Sequence, residues 1–151
     1  MGKIINTIKH WSGKFFRKLF NLDRYVFEKI VLKKDVIDEI TEFAKDAYPK
    51  EFIGFLSGKI EDKTLVVDDL IYQIYQASHN SAFTKMNLPM LNNVYGTVHS
   101  HPSGNNRPSR ADLFFFRKHG VFHIIIGRPY NIGTMQAYDK NGSRIKIYAE
   151  R

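Results

Sequence analysis

The chain has 151 residues, no cysteine and a formal net charge of +8. Its length predicts a single domain, and 43% apolar content with 12 Phe and 8 Tyr is enough for a hydrophobic core. The lack of cysteine excludes disulfides and thiolate metal sites and favours a reducing, cytoplasmic compartment. No apolar run approaches the ~20 residues of a membrane span, and the positive charge favours a partner or surface of opposite sign.

Residues 1–24 differ from the rest and are predicted to form a separate amphipathic basic helix. Apolar residues recur every three or four positions, from Ile4 through Trp11 to Leu22, and basic side chains line the other side. Six Lys/Arg and one Asp give this segment +5 of the total charge. Basic residues interrupt every apolar run, which argues against a signal peptide.

Three packing surfaces are open to this helix: a second copy of the chain in a homodimer, a groove on its own domain, or an anionic membrane surface. Gly13 and the absence of Glu weaken it as a free-standing helix. We therefore expect it to order only when packed. Self-association or intramolecular packing is favoured over peripheral membrane contact.

Residues 25–151 are predicted to form one domain with interleaved strands and helices. Asp35 is the expected N-cap of the first helix, Pro49 ends it, and Gly120 stops the second. No regular βαβ rhythm appears, so we expect an α/β fold with a curved mixed sheet and helices on its faces. In chain order the predicted elements are a strand at 25–32, a helix after Asp35, a strand at 52–56, a charged turn at 58–63, a strand at 64–75, a loop at 76–93, a strand at 94–98, a helix at 109–118, a strand at 121–127 and a hairpin of strands 134–138 and 144–149.

The segment from His99 to Asp112 carries the strongest chemical signal. His99 and His101 are two apart, so on an extended strand both imidazoles point to the same side. After a turn at Pro102 and Gly104, Asp112 falls in the first turn of a predicted helix that starts at Ser109. Two imidazoles and one carboxylate make a three-ligand site with an open position, typical of catalytic zinc.

Simpler interpretations exist for each of these residues. A lone His-x-His at a strand end is usually no metal site, and Ser109 with Asp112 also fits a helix capping box. His79, His119 and His123 are better explained by surface, packing or capping roles than by metal ligation. The metal hypothesis therefore depends on the whole string of residues, not on any one of them.

The whole string resembles the signature of the JAMM, or MPN-plus, metalloproteases: His-Ser-His-Pro, six residues, Ser, two residues, Asp. That family adds an upstream Pro-x-Glu-x-x-Gly-x-Leu-x-Gly, and residues 49–58 match every fixed position of it. The resemblance covers about residues 27–150. It implies an α/β sandwich with zinc at one end of the sheet, with Zn²⁺ bound by His99, His101 and Asp112, Glu51 as general acid/base and Ser109 as an oxyanion donor.

The same resemblance implies hydrolysis of a peptide or isopeptide amide at the C-terminal Gly-Gly tail of a ubiquitin-like or sulfur-carrier protein. The short chain resembles the minimal archaeal or bacterial form. Two alternatives stay open: a RadC-like, DNA-associated JAMM protein, and a non-catalytic MPN scaffold. The histidine-Ser-histidine motif and the charge concentrated in residues 1–24 disfavour a nucleic-acid partner, and the complete ligand set disfavours the scaffold.

Overall fold

A computed structural model describes residues 27–72 and 93–150 of the chain. Within these ranges the fold is a mixed sheet with two α-helices, as the sequence predicts. The elements, in chain order, are β1 (Lys29–Leu32), α1 (Lys34–Ala47), β2 (Ile53–Glu61), β3 (Thr64–Tyr72), β4 (Val94–His101), α2 (Arg110–Phe116), β5 (Phe122–Gly127), a short 3₁₀ turn (Ile132–Thr134), β6 (Met135–Asp139), β7 (Arg144–Ile145) and β8 (Tyr148–Ala149).

The strands form one sheet in the order β7-β6-β5-β4-β2-β3-β1-β8. The pairs β1–β3, β1–β8 and β4–β5 are parallel, and the other pairs are antiparallel. Strands β7 and β8 lie at opposite edges although only two residues separate them in the chain. Because three peptide steps span at most about 11 Å, the sheet must curl until its edges approach one another.

Strand β5 shows that both faces of the sheet are covered. All six of its residues are buried, as its continuous apolar run predicts. Ile124 and Ile126 belong to the large core cluster, which also contains the buried face of α1. Ile125 points the other way, into a smaller cluster with Phe116 of α2 and Tyr138. Neighbouring residues of one strand therefore anchor helices on opposite faces, which confirms the sandwich architecture.

The predicted start of α1 is wrong by two residues. The N-cap is Lys33, whose side chain makes no capping hydrogen bond, and Asp35 lies inside the first turn. A carboxylate there still stabilises the helix through its dipole. The helix ends at Ala47, just ahead of Pro49, as predicted.

The predicted turn at 58–63 is also wrong. Strand β2 continues to Glu61, and the turn consists only of Asp62 and Lys63, both with positive φ as a two-residue hairpin requires. Gly58 lies inside the strand, next to a register shift against β3. A Cβ there would approach the carbonyl oxygen of Val66 to 2.1 Å, so this glycine permits close strand contact and not a turn.

The last predicted strand, 144–149, is divided in two. Arg144 and Ile145 pair with β6 and complete the predicted hairpin, but Tyr148 and Ala149 pair in parallel with β1. The Glu150 amide extends this pairing by donating to the Leu32 carbonyl at 2.8 Å. Local apolar patterning predicts strand character in this segment but not the sheet edge that each half joins.

Several predictions fall on residues outside the described ranges: the helix at 1–24, the first residues of the strand at 25–32, residues 73–75, and nearly all of the loop at 76–93 with His79. The strand described near 25–32 begins at Lys29. In the described ranges, neither helix is long and apolar enough to cross a membrane.

Candidate metal centre

The last three residues of β4 place two histidines at one end of the sheet. His99 pairs with Ile53 of β2 on one side and with Ile125 of β5 on the other, so its backbone is held between two strands. His101 follows at the same face, and the Nε2 atoms of the two rings are 3.1 Å apart. The side chains of His99 and His101 are only 5% and 13% exposed.

Asp112 completes the cluster from the first turn of α2. Its Oδ1 lies 3.1 Å from His99 Nε2, and its Oδ2 lies 3.4 Å from His101 Nε2. The capping box is also present: the Ser109 amide donates to Asp112 Oδ2 at 2.6 Å, and the Asp112 amide donates to Ser109 Oγ at 3.1 Å. The cap and the histidine contacts are therefore not alternatives, since the cap orients the carboxylate toward the imidazoles.

The segment between the histidines and the helix fixes the orientation of His101. His101 Nδ1 donates to the Asn105 carbonyl at 2.6 Å, which leaves Nε2 facing Asp112. This is the backbone contact that commonly sets the tautomer of a ligating histidine. The Tyr138 hydroxyl donates to the next carbonyl, that of Asn106, at 2.7 Å and holds the loop against β6. The role of Asn105 was not predicted, because a backbone carbonyl carries no residue-type signal.

Glu51 reaches the site through the start of β2. It is exposed, and it lines a cavity of about 260 Å³ together with His99 and Asp112. The adjacent Phe52 amide donates to the Ser100 hydroxyl at 2.9 Å, and the Ser100 amide donates to the Phe52 carbonyl at 3.1 Å. Buried Ser100, between the two histidines, thus ties the Glu51 segment to β4. Its role was not predicted, because its partner is a backbone group 48 positions away.

Hydrogen bonding within the cluster sets its charge state. The hydrogen bond to Asp112 raises the pKa of His101 above its ordinary value, against the opposing effect of burial. Burial alone would raise the pKa of Asp112, but hydrogen bonds from His101 and His99 outweigh it and hold that pKa far below its usual range. The site therefore keeps an ionised carboxylate beside the imidazoles, as a divalent cation requires.

The other described histidines serve elsewhere. His123 is buried in β5, where Thr97 Oγ1 lies 2.7 Å from its Nδ1 and the Phe116 carbonyl 3.1 Å from its Nε2. Burial lowers the pKa of His123 to about 4. His119 lines the same cavity as Glu51, and burial, with the nearby Lys118 charge, lowers its pKa. Neither belongs to the cluster of possible metal ligands, in line with the prediction.

The donor set fits a metal ion. In the described ranges, one ligand atom from each of His99, His101 and Asp112 can be chosen so that all lie within 4.8 Å of one another. Two imidazole nitrogens and a carboxylate oxygen, with no thiolate, are the ligands of catalytic zinc sites that keep a position open for water or substrate. The bordering cavity leaves room for such a fourth ligand.

Comparison with known proteins decides the family. Residues 33–140 match the model of the prokaryotic homologues of the JAB domain. The chain belongs to the JAMM/MPN-plus family. A probable metalloprotease from Haloferax volcanii is 34% identical over 123 residues, which cover 76% of each chain. With this membership, the His-His-Asp donor set identifies Zn²⁺ as the cofactor.

Solved JAMM structures agree with the fold. One, described as a metalloprotease-like zinc site in the proteasome and signalosome, is 35% identical, covers 82% of this chain and all of its own, and has a TM-score of 0.64. A JAB1/MPN domain protein from Archaeoglobus fulgidus has the same identity and coverage and a TM-score of 0.63. A protein from Desulfitobacterium hafniense, only 21% identical with a TM-score of 0.61, shares the fold.

Proposed function

We propose that this JAMM domain is a zinc-dependent peptidase or isopeptidase acting on the C-terminal tail of a ubiquitin-like or sulfur-carrier protein. The main support is one observation: Glu51, His99 and Asp112 line a single cavity at the end of β4, and His101 completes the ligand cluster beside it. An inactive scaffold has no need for an acid/base group next to a complete ligand set.

We assign His99, His101 and Asp112 as the ligands of the metal. When bound, Zn²⁺ supplies a Lewis acid and lowers the pKa of a coordinated water to about 7. Two of the three ligands are oriented for this task in advance, since His101 Nδ1 donates to the Asn105 carbonyl and Asp112 accepts from the Ser109 amide. Second contacts of this kind keep ligand geometry rigid.

Glu51 is the proposed general acid/base. Its carboxylate takes a proton from the attacking water and later delivers it to the leaving amine, as amide hydrolysis requires. Its exposed position in the cavity leaves it accessible to both water and substrate. The Ser109 hydroxyl oxygen accepts a hydrogen bond from the Asp112 amide and keeps its own proton. It can therefore donate a hydrogen bond to the tetrahedral oxyanion.

The substrate class follows from the family resemblance of the site motifs. A direct test uses zinc-loaded full-length protein and a ubiquitin-like protein whose Gly-Gly terminus is fused to a fluorescent reporter, once through a linear peptide bond and once through a lysine side chain. We expect zinc-dependent release of the reporter from at least one fusion. A zinc-replete protein that releases neither reporter would contradict the proposal.

Two other functions predict different results in simple measurements. A non-catalytic scaffold has no need of metal, so a zinc content far below one ion per chain after purification would favour it. A RadC-like DNA-associated protein would bind duplex DNA with an affinity that falls steeply with salt. Filter binding at several salt concentrations separates that behaviour from the protein substrate proposed here.

A further inference from the structure

The cavity beside the proposed catalytic groups is also lined by residues that the proposed reaction does not use. Besides Glu51, His99 and Asp112, the lining includes Lys118 and His119, which follow α2 in the chain. Four apolar residues complete the lining: Ile53, Ala111, Phe114 and Phe115. At about 260 Å³, the cavity is below the ~300–1,000 Å³ of small-molecule sites, so it suits one side chain of a larger substrate.

Building on the proposed function, we propose that this cavity is a specificity subsite for an apolar side chain that flanks the Gly-Gly cleavage site, and that Lys118 selects an acidic residue beside that side chain. Phe114 contributes the exposed apolar wall, since 61% of its surface is accessible. Phe114 shares the cavity lining with Ile53, Ala111 and Phe115, and exposed apolar groups gathered in one concave surface are typical of a binding site.

Lys118 lies where it can recognise a carboxylate. Its Nζ sits 4.1 Å from the centre of the Phe114 ring, so the charge is held over the apolar wall. Within the described ranges no carboxylate forms an ion pair with it. The acidic group nearest in the chain, Asp112, is already engaged with the two histidines.

The charge distribution along the chain supports an acidic substrate. Residues 71–151, which supply both histidines and all of α2, contain ten Lys/Arg and only three acidic residues. Residues 25–70 contain seven Lys/Arg and eleven acidic residues. Within residues 25–151, the excess of positive charge thus lies in the part of the sequence that builds most of the site, and net positive charge attracts an acidic partner.

Internally quenched peptides with a Gly-Gly cleavage site test the subsite. One flanking position is varied between Leu and Ala and its neighbour between Glu, Gln and Lys, on each side of the cleavage site in turn. With zinc-loaded full-length protein we expect on one side a preference of about tenfold for Leu over Ala. We expect a preference of about fivefold for Glu over Lys, weakening with added salt and expressed mainly in KM.

Two substitutions separate the two parts of the subsite. Lys118→Glu should reverse the preference between Glu and Lys while the preference for Leu persists, and Phe114→Ala should lose the preference for Leu while that for Glu persists. The matched controls are Lys140→Glu, the same charge change outside the cavity lining, and Ile132→Ala, which removes another apolar side chain that is 51% exposed. Both controls should leave both preferences unchanged.

The proposed subsite and the proposed peptidase function can be disproved independently of each other. If wild-type protein cleaves none of the peptides, the same peptides are measured for binding to zinc-loaded Glu51→Gln protein by fluorescence anisotropy. The same two preferences in binding, altered by the same two substitutions, would support the subsite without hydrolysis. Equal cleavage or equal binding of all peptides, or a Lys118→Glu protein that still prefers Glu, would overturn it.

Discussion

Two histidine environments lie on adjacent strands of this molecule. His99 and His101 end β4, and His123 lies within β5 beside Thr97. The Phe116 ring lies near both, stacked on His123 with centroids 4.1 Å apart and 6.2 Å from the His99 ring centre. Burial alone does not distinguish the two environments, because both His99 and His123 are buried.

The two environments differ in the group that faces the Nε2 atom of the ring. Protein groups occupy both nitrogens of His123, since Thr97 contacts Nδ1 and the Phe116 carbonyl accepts from Nε2. The Nε2 atoms of His99 and His101 instead converge on the Asp112 carboxylate. The difference is that the group facing His99 and His101 is itself a metal-ligand type, so the three side chains can share one cation, whereas His123 faces only a hydroxyl and a backbone carbonyl.

The largest effect should come from the ligand cluster. His101→Gln or Asp112→Asn should lower bound zinc well below one ion per chain and abolish amide hydrolysis, whereas His123→Gln should retain full zinc content. Metal analysis after dialysis, with a reporter-release assay, makes the comparison. Full zinc occupancy and activity in His101→Gln would show that the two environments do not differ as argued.

The next effect concerns proton transfer without metal loss. Glu51→Gln should keep the fold and the zinc, because Glu51 lies outside the ligand cluster, but should lose about 100- to 10,000-fold in kcat. A variant within about threefold of wild type, or about 0.6 kcal/mol in activation free energy, would mean that another group moves the proton.

Ser109 should show a smaller, mixed effect. Ser109→Ala removes the proposed oxyanion donor, which costs up to about 100- to 1,000-fold in kcat, and a helix cap worth about 1 kcal/mol of stability. Ser109→Thr retains both groups and should restore most of each property. Measuring kcat, KM and thermal unfolding together distinguishes the roles, since a purely structural Ser109 would lower the stability and leave kcat unchanged.

Buried His123 should affect the pH dependence of the unfolding free energy and not the activity. Because the folded-state pKa of His123 is lowered to about 4, the unfolded chain binds more protons between about pH 6.5 and pH 4. Neutral His123 makes its full contribution to the stability of the folded state above pH 6.5. This contribution is lost as the pH falls from about 6.5 to about 4, at up to about 1.4 kcal/mol per pH unit.

Urea unfolding of wild type and His123→Gln across this pH range isolates that term, because the other titrating groups are common to both proteins. The variant should show the shallower dependence of unfolding free energy on pH below 6.5. Identical slopes in the two proteins would mean that His123 titrates normally and is not the enclosed group described here.

The smallest effect on the site is expected from the N-terminal segment, residues 1–24. Removal of residues 1–24 should leave zinc binding intact while changing oligomeric state or solubility, if the segment is a docking helix. Sedimentation and liposome binding of both forms measure this. If only the thermal stability falls and both other properties match, the helix is part of the core.

The sequence by itself predicted the ligand set of the candidate zinc site. The types and spacing of His99, His101, Ser109 and Asp112 predict a zinc site, because alternation along a strand and the first turn of a helix are local geometry. The continuous apolar run of β5 predicts a sheet covered on both faces for the same reason. These signals depend on neighbours within about a dozen residues.

The family resemblance named Glu51, but only the tertiary structure decided how distant groups are brought to the site. The Glu51 segment reaches the cavity because Ser100 hydrogen-bonds the Phe52 backbone, and His101 is oriented by the backbone carbonyl of Asn105. The split between β7 and β8 likewise follows from the curl of the whole sheet. Such contacts join backbone groups or distant strands, and local residue patterns carry little information about either.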